Sequence, residues 1–75
     1  MKFDYVIDHV IQKEIMSRLT KAEYFRFSEL KSEKIESNLF MYHLRQLMRH
    51  GLVEKNENGY QLTRLGKSYI DRSTL

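Results

Sequence analysis

The chain has 75 residues, of which 41% are hydrophobic and 31% charged, and its formal net charge is +3. A chain of this length forms one small domain with a modest core, since it buries only about 60% of its unfolded surface. The absence of cysteine excludes disulfides, thiolate metal sites and a cysteine nucleophile. The N-terminal residues are too charged for a signal peptide, and no apolar run approaches a membrane span. We therefore expect a cytoplasmic protein without a membrane partner, whose mild basicity is compatible with nucleic-acid binding.

Residues 1–21 carry one helical pattern, in which apolar side chains recur at three- and four-residue spacing. The two adjoining stripes consist of Val6 and Val10, and of Ile7, Ile11, Ile15 and Leu19. Phe3 and Tyr5 are more apolar than a frayed terminus requires. We expect both to pack on the domain's own core, and a contact with a second subunit or another domain is the alternative.

The segment after this helix is aromatic and short. Phe25 to Phe27 is predicted as a small strand or extended link that pairs with a later hairpin. Ser28 is a candidate N-cap for a second helix from Glu29 to about Lys34, with Leu30 facing the core. Ile35 is expected to fill the gap between this helix and the next.

The third helix is predicted from Asn38 to His50, with Ser37 as its N-cap. The residues of its apolar face are Phe40, Leu44, Leu47 and Met48, which recur at helical spacing. Gly51 follows as a C′ residue, because glycine adopts the left-handed conformation at little cost.

A hairpin follows, with strands at Leu52–Lys55 and Tyr60–Leu62 and a turn at residues 56–59 that contains the Asn-Gly turn signal. Thr63 is predicted to cap a last helix, Arg64–Asp71. That helix is expected to bury Leu65, Tyr69 and Ile70, while Gly66 allows it to pack closely.

The element order is helix-strand-helix-helix-strand-strand-helix, within a single domain spanning residues 1–75. The predicted fold is mainly α with a small β-hairpin, an α+β winged helix-turn-helix. The third helix takes the place of the recognition helix, and the hairpin at residues 52–62 takes the place of the wing.

The motifs FSEL, YHLRQL, HGLVEK and GYQLTRLGK resemble those of winged-helix domains of the arsenical-repressor-like superfamily. The resemblance covers roughly Phe25 to Tyr69. The chain is also similar to the N-terminal winged-helix module of some bacterial Nudix-hydrolase proteins. This second likeness implies that the chain is the N-terminal domain of a longer protein. The Nudix box is absent, so the likeness implies no hydrolase activity for this chain.

The superfamily resemblance implies a DNA-binding domain of a transcriptional regulator, with the third helix in the major groove. The outward positions of that helix are Asn38, Leu39, Met41, Tyr42, Arg45, Gln46 and Arg49. Asn38 and Gln46 suit an adenine edge and Arg45 suits guanine, while Arg49 and Tyr42 suit the phosphate and sugar backbone. A solvated helix face with ordinary surface arginines is the simpler alternative.

Two features favour a different function. Leu39 and Met41 are apolar at outward positions, which is typical of a protein-binding surface. The wing places Lys55, its candidate DNA contact, beside Glu54 and Glu57, so its tip has a net charge near minus one. A protein-interaction or interdomain module without DNA binding therefore remains open, with a second copy or a C-terminal domain as the partner.

The remaining polar residues indicate no catalytic or metal chemistry. His43 and His50 are seven residues apart, about 10.5 Å along a helix, which is too far to share a metal ion. His43 is expected to be a structural residue that packs beside the wing or the second helix. The acidic residues Glu29, Glu33 and Glu36 are expected to be solvated. We expect no enzyme activity, no metal and no cofactor.

Overall fold

The structure is a computed structural model that describes the backbone of residues 9–73 and the side chains of residues 9–71. Within this range the fold is α+β, with four helices and one two-stranded antiparallel hairpin. The elements are α1 (Val10–Leu19), α2 (Phe27–Leu30), α3 (Ser37–Arg49), β1 (Val53–Asn56), β2 (Gly59–Leu62) and α4 (Arg64–Ser73). This order confirms the predicted α+β winged-helix arrangement, except that the strand predicted at Phe25 to Phe27 is reduced to one bridging residue.

Helix α3 supplies the centre of the core. Phe40, Leu44 and Leu47 are fully or almost fully buried, and Met48 packs against them at the edge. The helix ends at Arg49, one residue before the predicted end. Gly51 is the C′ residue, as predicted, and has φ 78°. The Gly51 N–H donates to the Met48 carbonyl at 3.0 Å and the Leu52 N–H donates to the Leu47 carbonyl at 3.0 Å. This pair of bonds is a Schellman motif, which stops the helix and starts the hairpin.

The N-terminal ends of α2 and α3 differ from the prediction. Helix α3 begins at Ser37, and its N-cap is Glu36, whose side chain makes no capping bond. Helix α2 is a single turn that begins after Arg26 instead of Ser28. It begins there because the Glu29 carboxylate accepts a hydrogen bond from the Arg26 N–H at 2.8 Å. Ile35 packs half-buried against the core, as predicted.

Helix α1 lies across the core with Ile11, Ile15 and Leu19 buried. The helix ends at Leu19, two residues before the predicted end. The adjoining stripe predicted at Val6 and Val10 does not extend the core at Val10, because Val10 is 72% exposed. One residue corresponds to about 100° around a helix, so Val10 points away from the stripe that begins at Ile11. The predictions for residues 1–8, which include Phe3, Tyr5, Val6 and Ile7, lie outside the described residues.

The hairpin pairs Val53 with Leu62 and Asn56 with Gly59. Strand β1 lies one residue later than predicted, β2 begins one residue earlier, and the turn is therefore shorter than predicted. The Asn56 side-chain oxygen accepts from the N–H groups of Asn58 and Gly59, at 2.8 and 3.1 Å. Gly59 has φ 139°, a conformation in which a side chain would be strained.

The predicted pairing of the aromatic segment with the hairpin is confirmed at one residue. Phe25 forms an antiparallel bridge with Tyr60, with N–H···O distances of 2.8 and 2.7 Å. Phe27 lies in α2, so the extended segment is shorter than predicted. The bridge holds the start of α2 against β2.

Helix α4 closes the core. The Thr63 hydroxyl accepts from the Gly66 N–H at 3.0 Å and donates to the Gly51 carbonyl at 2.5 Å, which confirms the predicted cap. Gly66 packs so tightly that a Cβ there would overlap the Leu52 carbonyl oxygen. Leu65 was expected to be buried but is 37% exposed, because it lies over the exposed turn at Gly51.

The C-terminal part of α4 also differs from the prediction. The helix extends to Ser73, past the predicted end at Asp71. Tyr69 and Ile70 are half-buried against the core instead of fully enclosed.

Replacing Leu44 by aspartate tests the register of α3. Leu44 is completely buried, so Leu44→Asp should cost more than about 4 kcal/mol and unfold the domain. Leu39→Asp is the matched control, since Leu39 is 45% exposed on the same helix. Far-UV circular dichroism and urea unfolding measure both variants. A cooperatively folded Leu44→Asp protein would contradict the register.

The contact at Gly66 gives a second prediction. Alanine has the higher helix propensity, by up to about 1 kcal/mol. Gly66→Ala should nevertheless destabilise the domain, by about 1–3 kcal/mol, because the new methyl group meets the Leu52 carbonyl. Ser68→Ala, at an exposed position of the same helix, should change the free energy of unfolding by less than about 0.5 kcal/mol. A stabilised Gly66→Ala protein would show that α4 can move away from Leu52.

Candidate nucleic-acid interface

The solvent-facing side of α3, here called the α3 face, has a regular arrangement. Asn38, Tyr42, Arg45 and Arg49 follow one another at spacings of four, three and four residues, so they form one row along the helix. All four side chains are exposed. Leu39 and the half-buried Gln46 lie along one edge of this row. The structure therefore brings together six of the seven predicted positions on this helix.

Met41 is the exception. Its side chain is half-buried and packs against the core, as Met48 does. Both methionines lie on the edge of α3 where the exposed surface meets the core, because residues seven apart share one side of a helix. The prediction that Met41 points outward is thus wrong, and it leaves Leu39 and Tyr42 as the exposed apolar side chains of the α3 face.

The polar side chains of the α3 face are available for a ligand. Helix α3 contains no aspartate or glutamate. Within the described part of the chain, the side chains of Asn38, Arg45, Gln46 and Arg49 make no hydrogen bond or ion pair. An external partner can therefore bind these groups without breaking contacts inside the protein.

The wing is not a basic surface. Lys55 is exposed, and its ammonium lies 5.7 Å from the centre of the Tyr60 ring, a distance that favours a cation–π contact. The Glu54 carboxylate accepts a hydrogen bond from the Gln61 side-chain amide at 2.6 Å. Glu57 lies in the turn between the strands. The tip keeps its small negative charge, so α3 carries the stronger positive potential of the two elements.

A histidine pair, the exposed His9 and the buried His43, lies where the start of α1 meets α3. His43 is buried, and its Nδ1 accepts from the Gln12 side-chain amide at 2.9 Å. The His9 ring lies 4.0 Å from the His43 ring, centre to centre. The Nδ1 of His9 accepts from the Ile11 N–H at 3.1 Å and so caps α1. Both contacts require a ring nitrogen without a proton.

The position of His43 corrects one prediction. His43 was expected beside the wing or the second helix, but its ring packs against α1. The pair with His9 was missed because 34 residues separate the two positions in the chain. The available signal was Gln12, a polar residue on the apolar side of α1, whose amide needs a buried partner. Among the described residues, no three side chains of metal-binding type lie close enough together to hold an ion.

The comparisons with known proteins identify the family. Residues 3–72 match the family described as Domain of unknown function (DUF7347), and this match covers most of the chain, which therefore belongs to that family. No curated protein matches the chain. No solved structure matches it either. None of the helices described here has the length and apolar character needed to cross a membrane.

The histidine pair predicts how stability depends on pH. Burial, and secondarily the nearby His9, lower the pKa of His43 below its usual value of 6.5. The unfolded chain therefore binds a proton at this site more readily than the folded chain does. The stabilising contribution is present above pH 6.5 and is lost as pH falls through the lowered pKa of the folded state.

We expect the melting temperature to decrease between about pH 7.5 and pH 5, measured by circular dichroism. His43→Gln should lower the melting temperature at pH 7.5 and reduce this decrease. His50→Gln, at an exposed position, should retain the decrease. The same acid-induced decrease in the His43→Gln protein would assign it to other groups.

Proposed function

We propose that this DUF7347 domain binds double-stranded DNA through α3, as the DNA-binding part of a transcriptional regulator in the cytoplasm. One observation carries the proposal. The α3 face presents two arginines and two carboxamides with no internal partner among the described residues, and with no acid on the helix. The winged-helix order of elements supports the proposal. So does the likeness of the motifs to the arsenical-repressor-like superfamily.

The order of side chains along α3 gives each a role. Asn38 lies in the first turn, where a recognition helix meets base edges, and its carboxamide suits adenine. Arg45 and Gln46 lie two turns later and suit guanine and adenine. Arg49 ends the helix and is better placed for a phosphate. Tyr42 lies between these groups, where its hydroxyl can donate a hydrogen bond to a phosphate of the DNA backbone.

The charges predict weak binding by a single copy. Two arginines on α3 and one lysine on a slightly acidic wing supply few phosphate contacts, and these contacts dominate affinity for DNA. A homodimer doubles the contacts and reads two half-sites about 34 Å apart. We therefore expect specific binding at physiological salt to require a second copy or another domain.

A second candidate function is a protein-interaction module attached to a Nudix-type enzyme. Leu39 is 45% and Tyr42 57% exposed on the same helix face, and the acidic wing tip repels phosphate. The likeness to Nudix-associated modules supports this candidate. Its support is weaker than the sequence implied, because Met41 belongs to the core edge.

A titration separates the two candidates. A fluorescent random-sequence duplex is titrated with the protein, and the anisotropy is followed at low and at physiological salt. DNA binding through phosphates weakens steeply with salt. The absence of binding at low salt would reject the first candidate and favour the second.

A double charge reversal tests the assignment to α3. Arg45→Glu with Arg49→Glu should weaken binding to the duplex at low salt at least roughly ten-fold, because both cations are lost from the contact surface. The control is Lys13→Glu with Lys21→Glu, which changes the net charge equally. Lys13 lies on the solvent side of α1 and Lys21 just after it. Equal effects of the two reversals would mean that net charge, rather than the α3 face, governs binding.

A further inference from the structure

Leu39 is an exposed leucine in the first turn of α3. It is the third residue of the helix, 45% exposed, next to the exposed Asn38. Among the described residues, Met41 and Met48 of the same helix pack against the core, but Leu39 is absent from the core and from the side chains packed on it. Leu39 therefore contributes little to the stability of the domain.

The chemistry of the major groove limits what this side chain can contact. Base edges there present hydrogen-bond donors and acceptors, and the 5-methyl group of thymine is the apolar exception. A leucine has no polar atom in its side chain. If α3 enters the groove with its first turn at the bases, the favourable base contact open to Leu39 is a thymine methyl group.

We propose that Leu39 determines specificity by contacting the 5-methyl group of thymine, beside an adenine bound by Asn38. The ligand class is thus a DNA site with adjacent A·T base pairs at the first turn of α3. The inference rests on the proposed DNA-binding function and adds a specificity to it. It also gives the exposed leucine a role that needs no protein partner.

The test uses two duplexes that differ in this methyl group. One duplex has an alternating dA-dT sequence and the other an alternating dA-dU sequence. Uracil presents the same hydrogen-bonding groups in the major groove as thymine but lacks the 5-methyl group. Wherever α3 binds along either duplex, it meets adjacent A·T or A·U pairs, so the operator sequence does not have to be known. Anisotropy titrations at low salt give Kd for the wild type, for Leu39→Ser and for Val10→Ser. Val10→Ser is the matched control, because Val10 is an exposed β-branched residue on α1.

We expect the wild type and Val10→Ser to bind the dA-dT duplex about four-fold more tightly than the dA-dU duplex, a ratio that corresponds to the burial of one methyl group. Leu39→Ser should bind the two duplexes equally, with an unchanged circular dichroism spectrum. Equal binding of both duplexes by the wild type would overturn the inference and leave DNA binding intact.

Two other outcomes also overturn the inference. A preference for dA-dT that persists in Leu39→Ser would assign the discrimination to the shape of the duplex or to another residue. The absence of binding to either duplex at low salt would reject the proposed function, and the thymine contact with it.

Discussion

The fold depends on the junction that ends α3. Residues 50–52 lie between α3 and β1 and connect both to α4. The Leu52 N–H donates to the Leu47 carbonyl in α3, and the Leu52 carbonyl accepts from the Thr63 N–H, next to α4, at 3.1 Å. The Thr63 hydroxyl binds the Gly51 carbonyl and also caps α4. The direction of α3, the start of the hairpin and the position of α4 are thus determined by three consecutive residues and one threonine.

This junction also explains which parts of the fold were predictable from the sequence. Gly51, Thr63 and Gly66 act through local backbone conformation and close contact, and each leaves a clear signal in the chain. The apolar faces were predictable to within one position. Val10, Met41 and Leu65 were misassigned because helical periodicity gives the centre of a buried face, whereas its edges depend on where the neighbouring element ends.

The candidate site likewise has parts that the sequence predicts and parts that it does not. The row Asn38, Tyr42, Arg45 and Arg49 follows from one helix and one register, so the sequence was sufficient to place it. The contacts of Lys55 and of the His9–His43 pair join residues that are distant in the chain or on opposite strands. No spacing rule within one element predicts such contacts. Gln12 indicates that a buried partner exists, but the packing of α1 against α3 identifies that partner as His43 and brings His9 beside it.

The Phe25–Tyr60 bridge has a consequence for self-association. It occupies backbone groups of β2 on the side away from β1, and the Phe25 carbonyl lies where any Cβ at Gly59 would be. Within the described residues the sheet has two strands, so the edge without any bridging residue is that of β1. That edge is four residues long and carries Glu54 and Lys55, features that disfavour strand addition. The hairpin offers a second copy little backbone for intermolecular β-pairing, which directs any homodimer to the surfaces of the helices.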